Sequence, residues 1–231
     1  MRRHCMADHY IYSPETIIKA YSLGLFPMAD SHDSVEIKFY DPDRRALIPI
    51  DGSLGGGVHI PRRLQRRVRQ APFEVSINQD FTAVIDACAA PSDQRTDTWI
   101  NKDIRQLYIA LHKMGFAHSI EVWSNGALIG GLYGVALRAA FFGESMFSRQ
   151  RDASKIALVH LMARLWNGGF LMLDAQFTND HLTQFGVTEI DRVDFQGRLA
   201  AALASDGDLH FETPSSALIA PFLASLKGHA A

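Results

Sequence analysis

The chain has little of what marks the more specialised protein classes. It holds two cysteines in 231 residues, Cys5 and Cys88, with neither the spacing of a thiolate metal site nor a disulfide framework, so a reducing compartment suits it. No run approaches the ~20 apolar residues of a bilayer-spanning helix, and the opening MRRHCMADHYIYSP lacks the apolar stretch of a signal peptide. The expectation is a cytoplasmic protein with no membrane contact. A net charge of −2 carries no global signal for nucleic acid or membrane, so any basic surface has to be local. Repeats and low-complexity tracts are missing as well. What is present is 47% hydrophobic content, enough to fill a sizeable core in one large domain, or in one domain with a small partner.

Phe141 to Gln176 is the most informative stretch. It reads as an apolar strand ending in Gly143-Glu144-Ser145, a polar turn, a long apolar helix, a Gly168-Gly169 stop and a second strand ending in Asp174-Ala175-Gln176. Strand side chains alternate faces, so Asp174 and Gln176 point the same way from an otherwise apolar strand. Three polar groups are therefore expected where hydrophobic strands run out.

Ahead of this stretch, Ser13 as N-cap, Pro14 at the first helical position and Gly24 as terminator bracket a short helix. Two strand-like runs flank the turn composition Asp41-Pro42-Asp43 and predict a hairpin. Helix and hairpin together predict a small N-terminal subdomain over residues 1–57, edged by the glycine-rich Asp51–Gly57, with the main domain over 58–231. The run PRRLQRRVRQ follows, in which Arg62/Arg66 and Arg63/Arg67 are i,i+4 pairs and Leu64 and Val68 form an apolar edge. With Arg69 these are five guanidiniums without acidic neighbours in sequence. They read either as a solvated helix face or as a phosphate-binding surface.

A strand from Phe73, helices from Asp80 and Asn101, a hairpin at Asn125-Gly126 and a helix over Ala153–Trp166 that is apolar around most of its circumference come next. A strand, a short helix, a strand over Val187–Phe195 and the helical QGRLAAALA complete the pattern. The class is α+β with a mixed sheet, in the order of the GNAT-like acyltransferase fold. Those enzymes hold a pyrophosphate with a glycine-bearing turn at the start of the long helix. The corresponding turn here, Ser148 to Ser154, has no glycine, and Asp152 is placed to cap the helix and repel a phosphate. That turn argues against coenzyme A as the donor, and so against the alternative of an acyl-CoA-dependent N-acyltransferase.

Nine separated blocks carry a family resemblance: YSLGLFPM at Tyr21, DPDRRALIP at Asp41, INQDF at Ile77, TWI at Thr98, HSIEVW at His118, GGLYGVAL at Gly130, FFGESMFS at Phe141, ASKIAL at Ala153 and DAQ at Asp174. In order and spacing they resemble the bacterial leucyl/phenylalanyl-tRNA-protein transferases over residues 11 to 195. The resemblance implies an enzyme that moves leucine, phenylalanine or methionine from Leu-tRNA, Phe-tRNA or a related aminoacyl-tRNA onto proteins with N-terminal Lys or Arg, marking them for degradation. A monomer with neither cofactor nor metal is expected. An α-amine with a reference pKa near ~8 attacks an activated ester without an enzyme nucleophile.

Gln176 is read as orienting that amine through its carbonyl oxygen while its amide N–H donates to Asp174. Proton removal by Asp174 itself is the variant. Glu144 is read either as a charge near the substrate amines or as a carboxylate satisfied by backbone N–H groups. The resemblance puts Leu132, Phe141, Leu161 and Leu173 in the pocket for the transferred side chain. It puts Trp99, Tyr108 and Tyr40 near the terminal adenosine, Tyr40 standing where the family has a tryptophan. Arg62, Arg63, Arg66, Arg67 and Arg69 then become the track for the acceptor stem. His118, His160 and His181 lack ligand spacing and read as structural. A non-catalytic RNA-binding module would leave Asp174, Gln176 and the pocket unexplained.

Overall fold

The computed structural model describes residues 12–54, 57–91 and 96–226, so Cys5 and the Gly55-Gly56 pair lie outside the described residues. Chain order is α1 (Pro14–Ser22), β1 (Phe26–Ala29), β2 (Ile37–Tyr40), β3 (Arg44–Leu47), α2 (Arg62–Gln70), β4 (Glu74–Ile77), α3 (Phe81–Ala89), α4 (Lys102–Lys113), β5 (Ala117–Ser124), β6 (Ala127–Leu137), β7 (Ala140–Ser148), α5 (Ala153–Asn167), β8 (Met172–Gln176), α6 (Asp180–Thr183), β9 (Thr188–Asp191), α7 (Arg192–Leu203) and α8 (Ser215–Ser225). The class is α+β, with a seven-stranded sheet in the order β4-β5-β6-β7-β8-β3-β9 and a β1-β2 ribbon. The large sheet is mixed, because β7 and β8 run parallel and the other pairs antiparallel.

Local chemistry sets most helix starts. Side chains of Ser13, Asp80 and Asn101 accept from Thr16, Ala83 and Ile104 N–H groups, taking up donors that a helix start leaves unpaired. Asn125 and Gly126 both have positive φ, as the two-residue β5-β6 turn requires. In α5, twelve of fifteen residues are buried, which only a helix covered on most sides shows.

The expected hairpin around Asp41-Pro42-Asp43 does not form. β2 pairs with β1, and β3 crosses into the large sheet between β8 and β9. Arg45, Ala46, Leu47 and Ile48 are buried in succession, and a strand buried on both faces belongs inside a covered sheet. Residues before position 57 thus contribute to the main sheet. Strand β7 does not stop at Gly143-Glu144-Ser145 but runs to Ser148 across a bulge opposite Tyr133/Gly134. β9 is shorter than expected because Asp191 accepts from the Asp194 N–H and starts α7. Helix α8 lies beyond the pattern read from sequence.

The sheet divides the core. Alternate residues Leu132/Tyr133, Phe141/Phe142 and Leu173/Met172 fall into two apolar clusters, one with α2, α5 and α8 and the other with α1, α3, α4 and α7. Helix α5 lies hard on β6 at Gly130, where an added β-carbon would come 2.5 Å from that of Ala153. β7 and β8 pair only from Ala140↔Met172 to Phe142↔Asp174. Beyond that point β7 continues with β6 as its one neighbour, and a cavity opens on the side that β8 has left.

Candidate active site

The cavity, about 900 Å³, takes its walls from both strands where their pairing ends, together with α5 and α6. Leu132, Leu161 and Leu173 line it with Leu158, and Glu144 and Asp174 line it too. Five sequence-predicted residues are thereby brought together. Phe141 is 1% exposed and packs into the core beside the cavity without lining it. Gln176, Trp99, Tyr108 and Tyr40 are also outside the lining.

Asp174 is fully buried, and its partner is a residue that sequence reasoning passed over. Arg45 Nε lies 3.0 Å from each carboxylate oxygen and Nη2 lies 2.6 Å from Oδ2, while Nη1 donates to the Gly24 carbonyl at 2.8 Å. The guanidinium is sandwiched between the Phe26 and Phe195 rings at 4.5 and 4.4 Å. Gly24 is required here. Its φ is +84°, and a β-carbon would stand 2.9 Å from the Phe195 ring. The one sequence signal was the Arg44-Arg45 doublet at a strand, where period two turns one of the pair inward.

The remaining side of Asp174 accepts from the backbone N–H of Gln176 at 2.8 Å. Gln176 has φ +58°, a left-handed conformation that this bond helps to hold. Its side-chain Nε2 is buried without a hydrogen-bond partner, so the expected amide-to-carboxylate donation is replaced by a backbone one. With the guanidinium and a backbone N–H already on it, Asp174 is committed as an acceptor.

Of the two sequence readings of Glu144, satisfaction by backbone N–H groups gives way to another set of donors. Tyr21 Oη donates to Oε1 at 2.6 Å and Tyr108 Oη to Oε2 at 2.7 Å, so side-chain hydroxyls satisfy it, not backbone N–H groups. The two tyrosine oxygens also lie in contact, which is a hydrogen bond only when one phenol turns its single proton from Glu144 to the other. Tyr108 is therefore fully buried and offers no open face to a base, contrary to the stacking role expected of it. Tyr40 is half-buried and stacks on Phe26, placing it one ring from Arg45; Trp99 is half-buried at the edge of the same cluster. Burial raises the Glu144 pKa to about 7 against the pull of the two hydroxyls, with Asp174 adding to the rise and Arg45 opposing it. Burial and the Glu144 charge push both tyrosines well above their ordinary value.

The raised pKa has a stability signature. The folded chain protonates Glu144 near pH 7 and the unfolded chain near 4.5, so the folded form binds more protons between these values and stability falls as pH rises through that window. Glu144→Gln removes this dependence. Its stability relative to wild type is expected to rise by about 2 kcal/mol from pH 5 to pH 8 in urea titrations. A pH-independent difference would mean that Glu144 titrates normally.

Helix α2 forms as expected, with Leu64 and Val68 buried and Arg62, Arg63, Arg66 and Arg69 exposed. Arg67 departs from the expected acid-free patch: its Nε lies 3.8 Å from Asp152 and its guanidinium 5.4 Å from the Phe73 ring centre. Asp152 stands at the α5 N-cap position with φ +68° but makes no side-chain cap, its carboxylate turning to Arg67 instead. His118 bonds Asn78 at 3.0 Å in a structural role, whereas His181 lines the cavity with a buried, unpartnered Nε2. Burial and Lys155 lower the pKa of that imidazole.

The family model for leucyl/phenylalanyl-tRNA protein transferase matches residues 54–200, and the model for the N-terminal domain of the same enzymes matches residues 11–43. The chain is 55% identical over 199 residues to the leucyl/phenylalanyl-tRNA-protein transferase of Hyphomonas neptunium, covering 86% of this chain and 75% of the relative. It is 52% identical over 199 residues to that of Phenylobacterium zucineum, covering 86% and 88%. With the protein of that name from Rhodopseudomonas palustris it shares 52% identity over 194 residues, 84% of each chain. No helix among the described residues is long and apolar enough to cross a membrane. Two family models in register and relatives matched over most of their length have one reading: the chain belongs to the leucyl/phenylalanyl-tRNA protein transferase family of aminoacyltransferases.

Proposed function

We propose that this chain, as a cytoplasmic monomer, transfers leucine or phenylalanine, and methionine as a third apolar cargo, from aminoacyl-tRNA to the α-amine of proteins beginning with Lys or Arg, marking them for degradation. The observation that carries the reading is the cavity where β7 and β8 part, with Leu132, Leu161 and Leu173 among its walls beside Glu144 and Asp174. Leucines suit the cargo side chain by apolar burial. A carboxylate in the lining suits a cationic acceptor.

In the reaction the neutral α-amine attacks the ester carbonyl, the new amide forms, and the ribose 3′ oxygen leaves and takes up a proton. Gln176 orients the amine through its side-chain carbonyl. Asp174 holds Gln176 in its left-handed conformation through the backbone N–H, and Arg45 holds Asp174. Glu144, with a pKa of about 7, is matched to attracting an ammonium or receiving its proton near neutral pH. Trp99 and Tyr40 serve the terminal adenosine. Phe141 backs the leucine wall from behind.

Incubation with radiolabelled Leu-tRNA or Phe-tRNA and model proteins beginning with Arg, Lys, Asp or Glu tests this directly. Label on the Arg and Lys proteins alone is expected; label on the acidic pair, or on none, would sink the reading. The five arginines of α2 serve as a phosphate track that positions RNA without reading its sequence. Arg62→Ala with Arg66→Ala, both exposed, is expected to lower the slope of log binding constant against log salt by roughly 1 to 2, the worth of two phosphate contacts. An unchanged slope would remove these two from the track.

A further inference from the structure

A second groove, about 560 Å³, lies on the α5 side of the sheet away from the active-site cavity, bounded by the C-terminal end of α2, edge strand β4 and α8. Val68, Phe73, Ile219 and Leu223 make it apolar, Arg69 lines it as a cation, and His160 lines it from α5. His160 is 8% exposed, and its Nδ1 is buried with no hydrogen-bond partner. Burial brings its pKa down to about 4, so the ring is neutral at cellular pH and offers Nδ1 as donor or acceptor according to tautomer.

Two observations indicate the kind of ligand. Exposed Arg62, Arg63, Arg66 and Arg69 run along α2 to the groove, with no acid in the first turn of that helix, so an occupant attached to a polyanion meets complementary charge. Arg67 reaches from Asp152, at the start of α5, to the Phe73 ring of the groove. Ser154 lines the active-site cavity and His160 the groove. Six residues of α5 separate them, about 9 Å along the helix axis or two to three nucleotide rises of ~3.4 Å.

We propose that this groove holds one unpaired nucleobase of the RNA whose 3′ end enters the active-site cavity. The apolar walls and the Phe73 ring take the base, the His160 ring packs against it, and Arg69 meets the adjoining phosphate. This rests on the aminoacyl-tRNA reading above. A protein segment is the competing occupant, and the α2 cations favour the polyanion.

The test uses a hairpin RNA that reproduces a tRNA acceptor stem and 3′ tail, with phenylalanine joined by an amide and single abasic nucleotides walked through the tail and first stem pair. Affinities are measured by fluorescence anisotropy for the wild-type chain, Ala220→Trp and Ala224→Trp. Both alanines line the groove and are exposed, so the added indole plugs it without entering the core. One abasic position is expected to weaken wild-type binding about tenfold, the worth of one stacked base, and to lose most of that effect in both tryptophan variants. These variants should bind the intact hairpin about tenfold more weakly with an unchanged salt slope. An abasic series that costs the same in all three proteins overturns the proposal, as does a tryptophan effect confined to the KM of the acceptor protein. If wild type binds the intact hairpin and transfers from intact tRNA, the aminoacyl-tRNA reading survives that failure; if it does neither, both fall.

Discussion

Arg45→Met is expected to destabilise the protein by about 3–5 kcal/mol, the usual cost of removing one member of a buried ion pair. Arg45 is 1% exposed and Asp174 0%, so water cannot reach the carboxylate that the substitution leaves behind. Methionine fills much of the space between the Phe26 and Phe195 rings, which confines the loss to charge and hydrogen bonds and limits any cavity. Urea unfolding at pH 7.5 provides the measurement. The double variant Arg45→Met with Asp174→Leu should recover most of the loss, because an apolar pair no longer carries an uncompensated charge. A single variant within 1 kcal/mol of wild type would mean that Asp174 is protonated or hydrated once Arg45 is gone. The same variant should lose transfer activity at temperatures where it remains folded, since in the proposed mechanism Arg45 acts on the amine through Asp174 and Gln176.

Asp174→Asn is expected to lower kcat by about 100-fold or more, within the range for a group that positions or exchanges a proton at a reacting centre. Its KM for aminoacyl-tRNA should stay within about threefold, because the leucine walls and the arginine track are untouched. The substitution keeps the shape and an oxygen for the Gln176 N–H while removing the charge that Arg45 faces. Label transfer at saturating substrate separates kcat from KM, and a parallel melt separates chemistry from folding. Activity within threefold of wild type would remove the Asp174 charge from the mechanism. A comparable fall in Gln176→Ala, without the loss of stability expected when Arg45 is left unpaired, would assign the chemistry to the amide and leave Asp174 as its support.

Much of the site was legible because it is local or periodic. Asp174 stands out as a polar residue at the end of an apolar strand, whereas the leucines of β6, α5 and β8 read by periodicity as core and were assigned to a pocket through the family resemblance alone. The caps at Ser13, Asp80 and Asn101 and the Asn125-Gly126 turn each lie within a few residues of what they satisfy. Tyr108 was misread for a physical reason: its helical spacing marks it as inward-facing, but the identity of the group it meets is set by β7, 36 positions away. The expected β2-β3 hairpin failed in the same way. Either pairing satisfies the backbone, and the burial of Ala46 and Leu47 between β8 and β9 decides between them.

The order of residues by itself determined the α+β class, the family and the arginine helix, all of which depend on composition, short-range spacing or motif order. Only the folded chain decided that Arg45 neutralises Asp174 across 129 positions, that a backbone N–H links Asp174 to Gln176, and that two tyrosines surround a carboxylate with a pKa of about 7. Those features arise from burial and from the meeting of distant strands. Both the strength of a charge pair and the proton affinity of a carboxyl depend on how much water has been removed around them, and that quantity exists only once the strands have closed over the site.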